Sequence, residues 1–179
     1  MTIVAAAGRR IDAPDASPSR FPLANRDVVR ARIRITLIEH GATGIVASGA
    51  CGADLLAQDV ARELKLHCRR MILPFAADLF RASSVTDRPG NWGSLFDDLV
   101  AELGTRGDVV TLAEDPGGDA AYAAVNKAIL AEAERIGGCS TPLVLLIWDG
   151  TSRGDGDLTA DLGLKARTRN WPIVEVLTV

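Results

Sequence analysis

The chain has 179 residues, a formal net charge of -3, and 47% hydrophobic against 4% aromatic residues. That length suffices for a single domain with a core that needs no covalent staples, and the slight acidity gives no general attraction for nucleic acid or an anionic membrane. Cys51, Cys68 and Cys139 are odd in number and lack C-x-x-C spacing, which argues against a disulfide framework or a zinc or redox pair and predicts reduced thiols in a cytoplasmic protein.

Ile3 to Ala7 reads as a short buried strand, too short for the apolar part of an export signal, and no stretch approaches the ~20 apolar residues that cross a bilayer. A Pro/Ser/Asp-rich loop from Ile11 to Pro22 follows, then a helix from Asn25 to His40 with Val29, Ile33 and Leu37 on one stripe. "TGIVASG" predicts a second strand and Ala53 to Leu66 a second helix, with Leu56, Val60 and Leu64 inward. "CRRMILPF" predicts a third strand. A short helix around Asp78 to Arg81, an irregular loop through "TDRPGN", and a helix from Trp92 to Leu103 make the longest insertion between strands. "DVVTLA" is a fourth strand, and Asp119 is expected to cap a helix over Ala120 to Ile136, with Tyr122, Val125, Ile129 and Ile136 inward. "PLVLLIWDG" is the most apolar strand and is expected at the centre of the sheet. A Gly/Asp loop, a helix from about Leu158 to Arg169, and the strand "PIVEVLTV" complete the chain. Continuous apolar strands alternating with amphipathic helices predict a Rossmann-like, doubly wound, mostly parallel α/β sheet spanning residues 1–179.

In such sheets ligands bind beyond the carboxyl ends of the strands. The segments there are Gly8-Arg9-Arg10, Ser48-Gly49-Ala50-Cys51-Gly52, Pro74-Phe75, Glu114-Asp115 and Trp148-Asp149-Gly150. Gly49 and Gly52 flank a tight strand-to-helix turn whose free N–H groups suit a phosphate near Arg9; the same glycines equally suit a turn with no ligand. Cys51 lies in that turn, where a helix N-terminus can lower a thiol pKa, or it is simply a small packed residue. In "WDGTSRGDGDLTADLG", Gly150, Gly154 and Gly156 interleave with Asp149, Asp155, Asp157 and Asp161; Thr159 and Asp161 fall in the first helical turn, close to where a phosphate and a sugar could be held. The alternative is a solvated turn with Asp157 as helix cap. The dinucleotide fingerprint G-x-G-x-x-G is missing and the strand after the first glycine turn ends Leu73-Pro74-Phe75, so no nicotinamide cofactor is expected. Arg26, Arg30 and Arg34 form a basic stripe, read as a solvated face or an oligomer contact, and His40 and His67 suggest no catalytic triad.

Taken in order, "AAAGRR", "VASGACGADLLAQDVARELKL", "MILPFAADLF", "SSVTDRPGNW", "AYAAVNK" and "LVLLIWDG" followed by "GDGDLTAD" resemble the SLOG superfamily, which unites DNA-processing protein A with the lonely-guy phosphoribohydrolases. The resemblance covers nearly the whole chain. It implies a bacterial nucleotide-binding domain, with Gly8 and Arg9 in the first loop, Ser48, Gly49, Gly52 and Asp54 in the second, and Asp149, Gly150, Gly156 and Thr159 in the last. Ala50, Cys51, Pro74 and Phe75 complete the expected binding set. Where the hydrolase branch carries P-G-G-x-G-T-x-x-E, this chain has Leu162 three residues after the Thr and Asp161 one residue earlier.

Three functions therefore stand side by side: a sensor module that binds a nucleotide or nucleotide-derived ligand; a nucleoside 5′-monophosphate N-glycoside hydrolase using Asp161 or Asp149; and a single-strand DNA binder, which would need a basic groove. The first is expected, with no required cofactor or metal. The resemblance also implies a homodimer, paired through the Asn25 to His40 or the Ala120 to Ile136 helix.

Overall fold

The computed structural model describes residues 1–179. Six strands form one sheet: β1 (Thr2–Gly8), β2 (Ala42–Ala47), β3 (Cys68–Leu73), β4 (Val109–Thr111), β5 (Leu143–Trp148) and β6 (Ile173–Leu177). Their order is β4-β3-β2-β1-β5-β6 and every neighbouring pair is parallel. Six helices connect them: α1 (Arg26–Glu39), α2 (Ala53–Glu63), α3 (Ala77–Ser84), α4 (Trp92–Gly104), α5 (Asp119–Gly137) and α6 (Leu158–Thr168). The chain winds outward from β1 to β4, then returns to the other side of β1 for β5 and β6. This is the expected doubly wound Rossmann-like α/β fold, and it places a reversal of strand order between β1 and β5.

The strands read as unbroken apolar runs because both faces are covered. Alternate residues Val4 and Ala6, Ile45 and Ala47, Met71 and Leu73, and Leu145 and Ile147 pack with α1, α2 and α4 in a cluster of 29 buried residues. Their neighbours Ile3, Ala5, Ala7, Val46, Ile72, Val144, Leu146 and Trp148 pack with α5 and α6 in a cluster of 14. The period of two along each strand assigns each residue to one layer or the other. Gly163 lets α6 lie close on β5, since a Cβ there would stand 2.9 Å from Leu146 Cδ1.

Four local features differ from the sequence expectations. β5 is buried at all six positions yet lies one place off the centre, which β1 and β2 occupy. β4 is an edge strand of three residues, so only Val109 to Thr111 of "DVVTLA" pair. Asp119 does not cap α5; it is the first helical residue, and Gly118 turns the chain at φ 61° with no side-chain cap bond. Helix α2 is buried at eight of its eleven residues, because it is wedged between the sheet, α1 and α4. Asp157 does cap α6, accepting from the amides of Thr159 and Ala160 at 3.0 and 3.2 Å. The basic stripe of α1 is a solvated face bonded to α2: Arg30 pairs with Asp59 and Glu63, and Arg34 with Glu63. No helix is long and apolar enough to cross a membrane.

Candidate functional site

At the carboxyl edge, beside the reversal of strand order, lies a cavity of about 580 Å³. That volume is in the range of small-molecule sites. Its floor is the end of β1 and the start of α2, one wall is α3 and α5, another is the first turn of α6, and the loop after β1 folds over the top.

That loop is held at its two ends. Arg9 N–H continues the β1 ladder to Ile147 O at 2.8 Å, while Arg9 O accepts from Ala53 N–H at 3.0 Å. The Asp12 amide donates to Phe21 O at 2.9 Å, and the Asp12 carboxylate accepts from Ser19 Oγ at 2.7 Å and from the amides of Arg20 and Phe21. Phe21 is fully buried beneath the loop. Ala13, Ala16, Ser17 and Pro18 are thereby presented to the cavity.

Arg9 is a buried hub, 4% exposed. Its Nε donates to Asp149 Oδ1 at 2.7 Å, its Nη1 to both oxygens of Asp157 at 2.7 and 2.8 Å, and its Nη2 to Thr151 O at 2.5 Å. The guanidinium also lies over the Trp148 ring, 5.5 Å from the centroid. Burial alone would lower the Arg9 pKa, but the bonds to Asp157 and Asp149 outweigh it and raise it. Burial likewise opposes ionisation of Asp157, yet Arg9 and the amides of Arg153 and Ala160 bring its pKa down to about 2. For Asp149 burial is outweighed by Thr151 and Arg9, and the pKa is lowered. Asp149 further accepts from Arg20 Nη1 at 2.5 Å and from Thr151 Oγ1 at 2.6 Å. These charges are matched among themselves and fix the β5–α6 loop to the end of β1.

Asp54 has a different setting. It is 8% exposed, lies in the first turn of α2 and lines the cavity. No side-chain cation pairs with it. Burial pushes its pKa up to about 7, against the opposing influence of the backbone amides of Ala50 and Gly8 and the charge of Arg10. A carboxyl in that range can both donate and accept a proton near neutrality. The same cavity is lined by Ser84 and Tyr122, whose Oγ and OH are 3.2 Å apart, with Tyr122 held edge-on to Phe75 at 5.8 Å. Asn126 of α5 also faces the cavity and donates from Nδ2 to Leu158 O and Asp161 Oδ2, both at 2.8 Å.

Of the residues singled out in the sequence, Gly8, Arg9, Ser48, Ala50, Asp54 and Thr159 line this cavity. The others stand behind or beside it. Gly49 faces the core, where a Cβ would meet Met71 Sδ at 3.0 Å and a Phe96 ring carbon at 3.1 Å. Cys51 is fully buried, and burial raises its thiol pKa, so it is a packed residue and not an activated thiol. Gly52 adopts φ 98°, and its Cα lies so close to the first loop that a Cβ would stand 2.8 Å from Arg9 O and from Ile11 N. Phe75 buttresses Tyr122, and Pro74 precedes it outside the cavity lining. Asp149 is enclosed by Arg9, Arg20 and Thr151, and Gly150 follows it at φ 79°. Gly156 and Asp161 border a separate, shallower depression beside α6. Asp161 is ion-paired to Lys165 there, and its pKa is lowered, burial being outweighed by Asn126 and Lys165.

The turn amides are partly committed. Cys51 N–H donates to Ser84 O at 3.0 Å and Ala53 N–H to Arg9 O at 3.0 Å, so neither is open to a ligand phosphate. Arg10, Arg20, Ser84, Arg88, Tyr122 and Asn126 line the cavity without having been singled out as binding residues. Arg10 stood next to a chosen residue, and Arg88 sat inside a quoted loop motif with no periodicity to orient it; Asn126 falls on the inward stripe between Tyr122 and Ile129, a signal that was there to be used. No group of three or more His, Cys, Asp or Glu side chains is placed to hold a metal ion.

Together the fold and the cavity define a Rossmann-like α/β protein with a partly open cavity of mixed polar and apolar lining at its strand-order reversal. The chain matches no protein-family model and no curated protein.

Proposed function

We propose that this chain binds a nucleotide or nucleotide-derived ligand in the cavity above β1, as a sensor-type module. The observation that carries the proposal is the lining: Arg10, Arg88 and Arg153 supply positive charge, while Asp54, Ser48, Ser84, Tyr122, Asn126 and Thr159 supply donors and acceptors around an apolar patch of Phe80, Val125, Ile129 and Leu158. A nucleotide offers partners to all three chemistries, with an anion, a polyhydroxylated sugar and a flat base. The position at the strand-order reversal supports the same reading. A thermal-shift and calorimetric screen against nucleoside mono- and diphosphates tests it. Stabilisation by at least one of them is expected, and a flat response across the set counts against the proposal.

A second reading, N-glycoside hydrolysis of a nucleoside 5′-monophosphate, is favoured by one observation. Asp54 is a carboxyl with a pKa near neutrality inside the cavity, whereas Asp161 lies outside it and Asp149 is enclosed in the Arg9 network. Such a group can protonate a leaving base. Assay of free base from adenosine, guanosine, cytidine and uridine 5′-monophosphates separates the readings. Turnover lost in Asp54→Asn and kept in Asp161→Asn supports the hydrolase; binding without base release supports the sensor. For the homodimer, the candidate face is the outer side of α1, where Val28, Ile35 and Ile38 are exposed.

A further inference from the structure

The arginines around the cavity are not equivalent. Arg9 and Arg20 are committed to Asp149, Asp157 and Thr151, and their charge is matched. Arg10 and Arg88, by contrast, share a single carboxylate. An Nη2 donor of Arg10 bonds Asp87 Oδ1, and Arg88 Nε lies 3.5 Å from Asp87 Oδ2, too far for a good hydrogen bond. Two guanidiniums against Asp87 leave a net positive charge as long as Asp54, which feels the charge of Arg10, holds its proton. The Nε atoms of both arginines are removed from solvent, and neither has a hydrogen-bond acceptor. Those two atoms are closed to the cavity as well; what a ligand oxyanion can meet is the part of each arginine side chain, 31% exposed for Arg10 and 29% for Arg88, that lines the cavity.

The loop that carries Asp87 and Arg88 is also rigidly placed. Thr86 donates from its amide and its Oγ1 to Arg81 O at the end of α3. On the other side Trp92, 3% exposed, donates from Nε1 to Pro89 O at 2.9 Å. Gly90 makes the intervening bend at φ 106°, where a Cβ would stand 2.6 Å from Trp92 Nε1. The segment "TDRPGNW" therefore holds Arg88 over the cavity from a fixed base, and the antiparallel bridge between Arg10 and Gly52 does the same for Arg10.

We infer that Arg10 and Arg88, bridged by Asp87, form the anion subsite of the cavity and hold the phosphate of a phosphomonoester or diphosphate ligand, in place of the α2 turn amides. The inference rests on the nucleotide reading above for the remainder of the ligand, but the subsite can be tested separately. Isothermal titration at low ionic strength, with inorganic pyrophosphate, adenosine 5′-monophosphate and adenosine as probes, compares the native chain with Arg88→Gln, Arg10→Gln and the distant control Arg34→Gln. Unliganded melting first establishes that each variant is folded. Arg88 is the deciding position because its side chain makes no hydrogen bond within the fold, whereas Arg10 bonds Asp87. Loss of a charge-assisted hydrogen bond pair is expected to weaken both phosphates about tenfold to a hundredfold in Arg88→Gln and Arg10→Gln, leaving the control unchanged. Monophosphate binding by the native chain that persists undiminished in folded Arg88→Gln overturns the subsite while sparing the nucleotide reading. Pyrophosphate binding that is lost in Arg88→Gln, with no binding of either adenosine compound, upholds the subsite and counts against an adenine nucleotide. Adenosine bound as tightly as its monophosphate, or no phosphate bound by the native chain, overturns the subsite.

Discussion

Replacing Asp54 by Asn should change how stability depends on pH, and the change can be sized from the site. The Asp54 carboxyl moves from an ordinary value of 3.8 to about 7 on folding, which corresponds to about 4 kcal/mol between its two protonation states. The folded chain holds this proton more tightly than the unfolded chain does. Its contribution is therefore complete below about pH 4, declines as pH rises toward about 7, and is lost above that, where the folded state must keep an ionised carboxyl in a buried place. Asn has nearly the same shape and no charge, so the variant lacks this slope. Urea denaturation of both proteins at steps from about pH 4 to about pH 8 should show the difference in unfolding free energy shifting toward the variant by about 4 kcal/mol. Parallel curves across that interval would refute the burial of an unpaired Asp54. A ligand that donates a hydrogen bond or places positive charge beside this carboxylate should restore part of the loss, so its stabilisation of the native chain should grow on the alkaline side.

The Arg9 hub predicts the opposite pH dependence and a large cost. Arg9→Met leaves Asp149 and Asp157 buried without their cation and should destabilise by about 3–5 kcal/mol in urea titrations at neutral pH; a loss under about 1 kcal/mol would mean the network is not closed as described. In the native chain the contribution of Asp157, whose pKa is depressed to about 2, is present above about pH 4 and is lost as pH falls through about 2, which acid titration of the near-ultraviolet signal should register against Arg9→Met. Gly52→Val forces a β-branched residue to φ 98° and a Cβ to within 2.8 Å of Arg9 O, so it should lower the melting temperature of the unliganded protein as well as its ligand response; an unaltered melting temperature would contradict this contact.

The layers were legible in the sequence because burial on both faces leaves a simple mark. Ile3 to Ala7 and Leu143 to Trp148 are apolar without alternation, which only a sheet covered on both sides explains. The cap of α6 was legible for a local reason as well, since Asp157 needs only the amides two and three residues ahead. What stayed hidden depends on partners remote in the chain. Arg9 reads as a free cation in a glycine-flanked loop until Asp149 and Asp157 are brought to it. Gly49, Cys51 and Gly52 share one turn with Ala50, but the turn alternates its residues between cavity, core and the first loop, and nothing in "SGACG" states the rotation. Asp161 seemed close to a sugar from its place after Thr159, yet the step of two residues along the helix turns it about 200° away, to Lys165 and the neighbouring depression. Asp54 stands out in the site because the cation expected beside an acid never arrives.

The Arg9 network also has a consequence for the order in which the molecule is made. Arg9 leaves the ribosome 140 and 148 positions ahead of its partners Asp149 and Asp157. Until then the end of β1 has no β5 beside it, and a guanidinium meant for the interior must stay hydrated. Contacts of such separation close late, because the chain entropy of the intervening loop has to be overcome before they return anything. The cavity roof, hung between Arg9 and Asp12, thus becomes a late event of synthesis: β1 to β4 with α1 to α4 can collapse first, and the arrival of "WDGTSRGDGD" locks the first loop in place. A nascent chain arrested before Trp148 would be expected to hold the first core and to lack a closed pocket, so that competence to bind doubles as a report that the segment from Trp148 through α6 has been made.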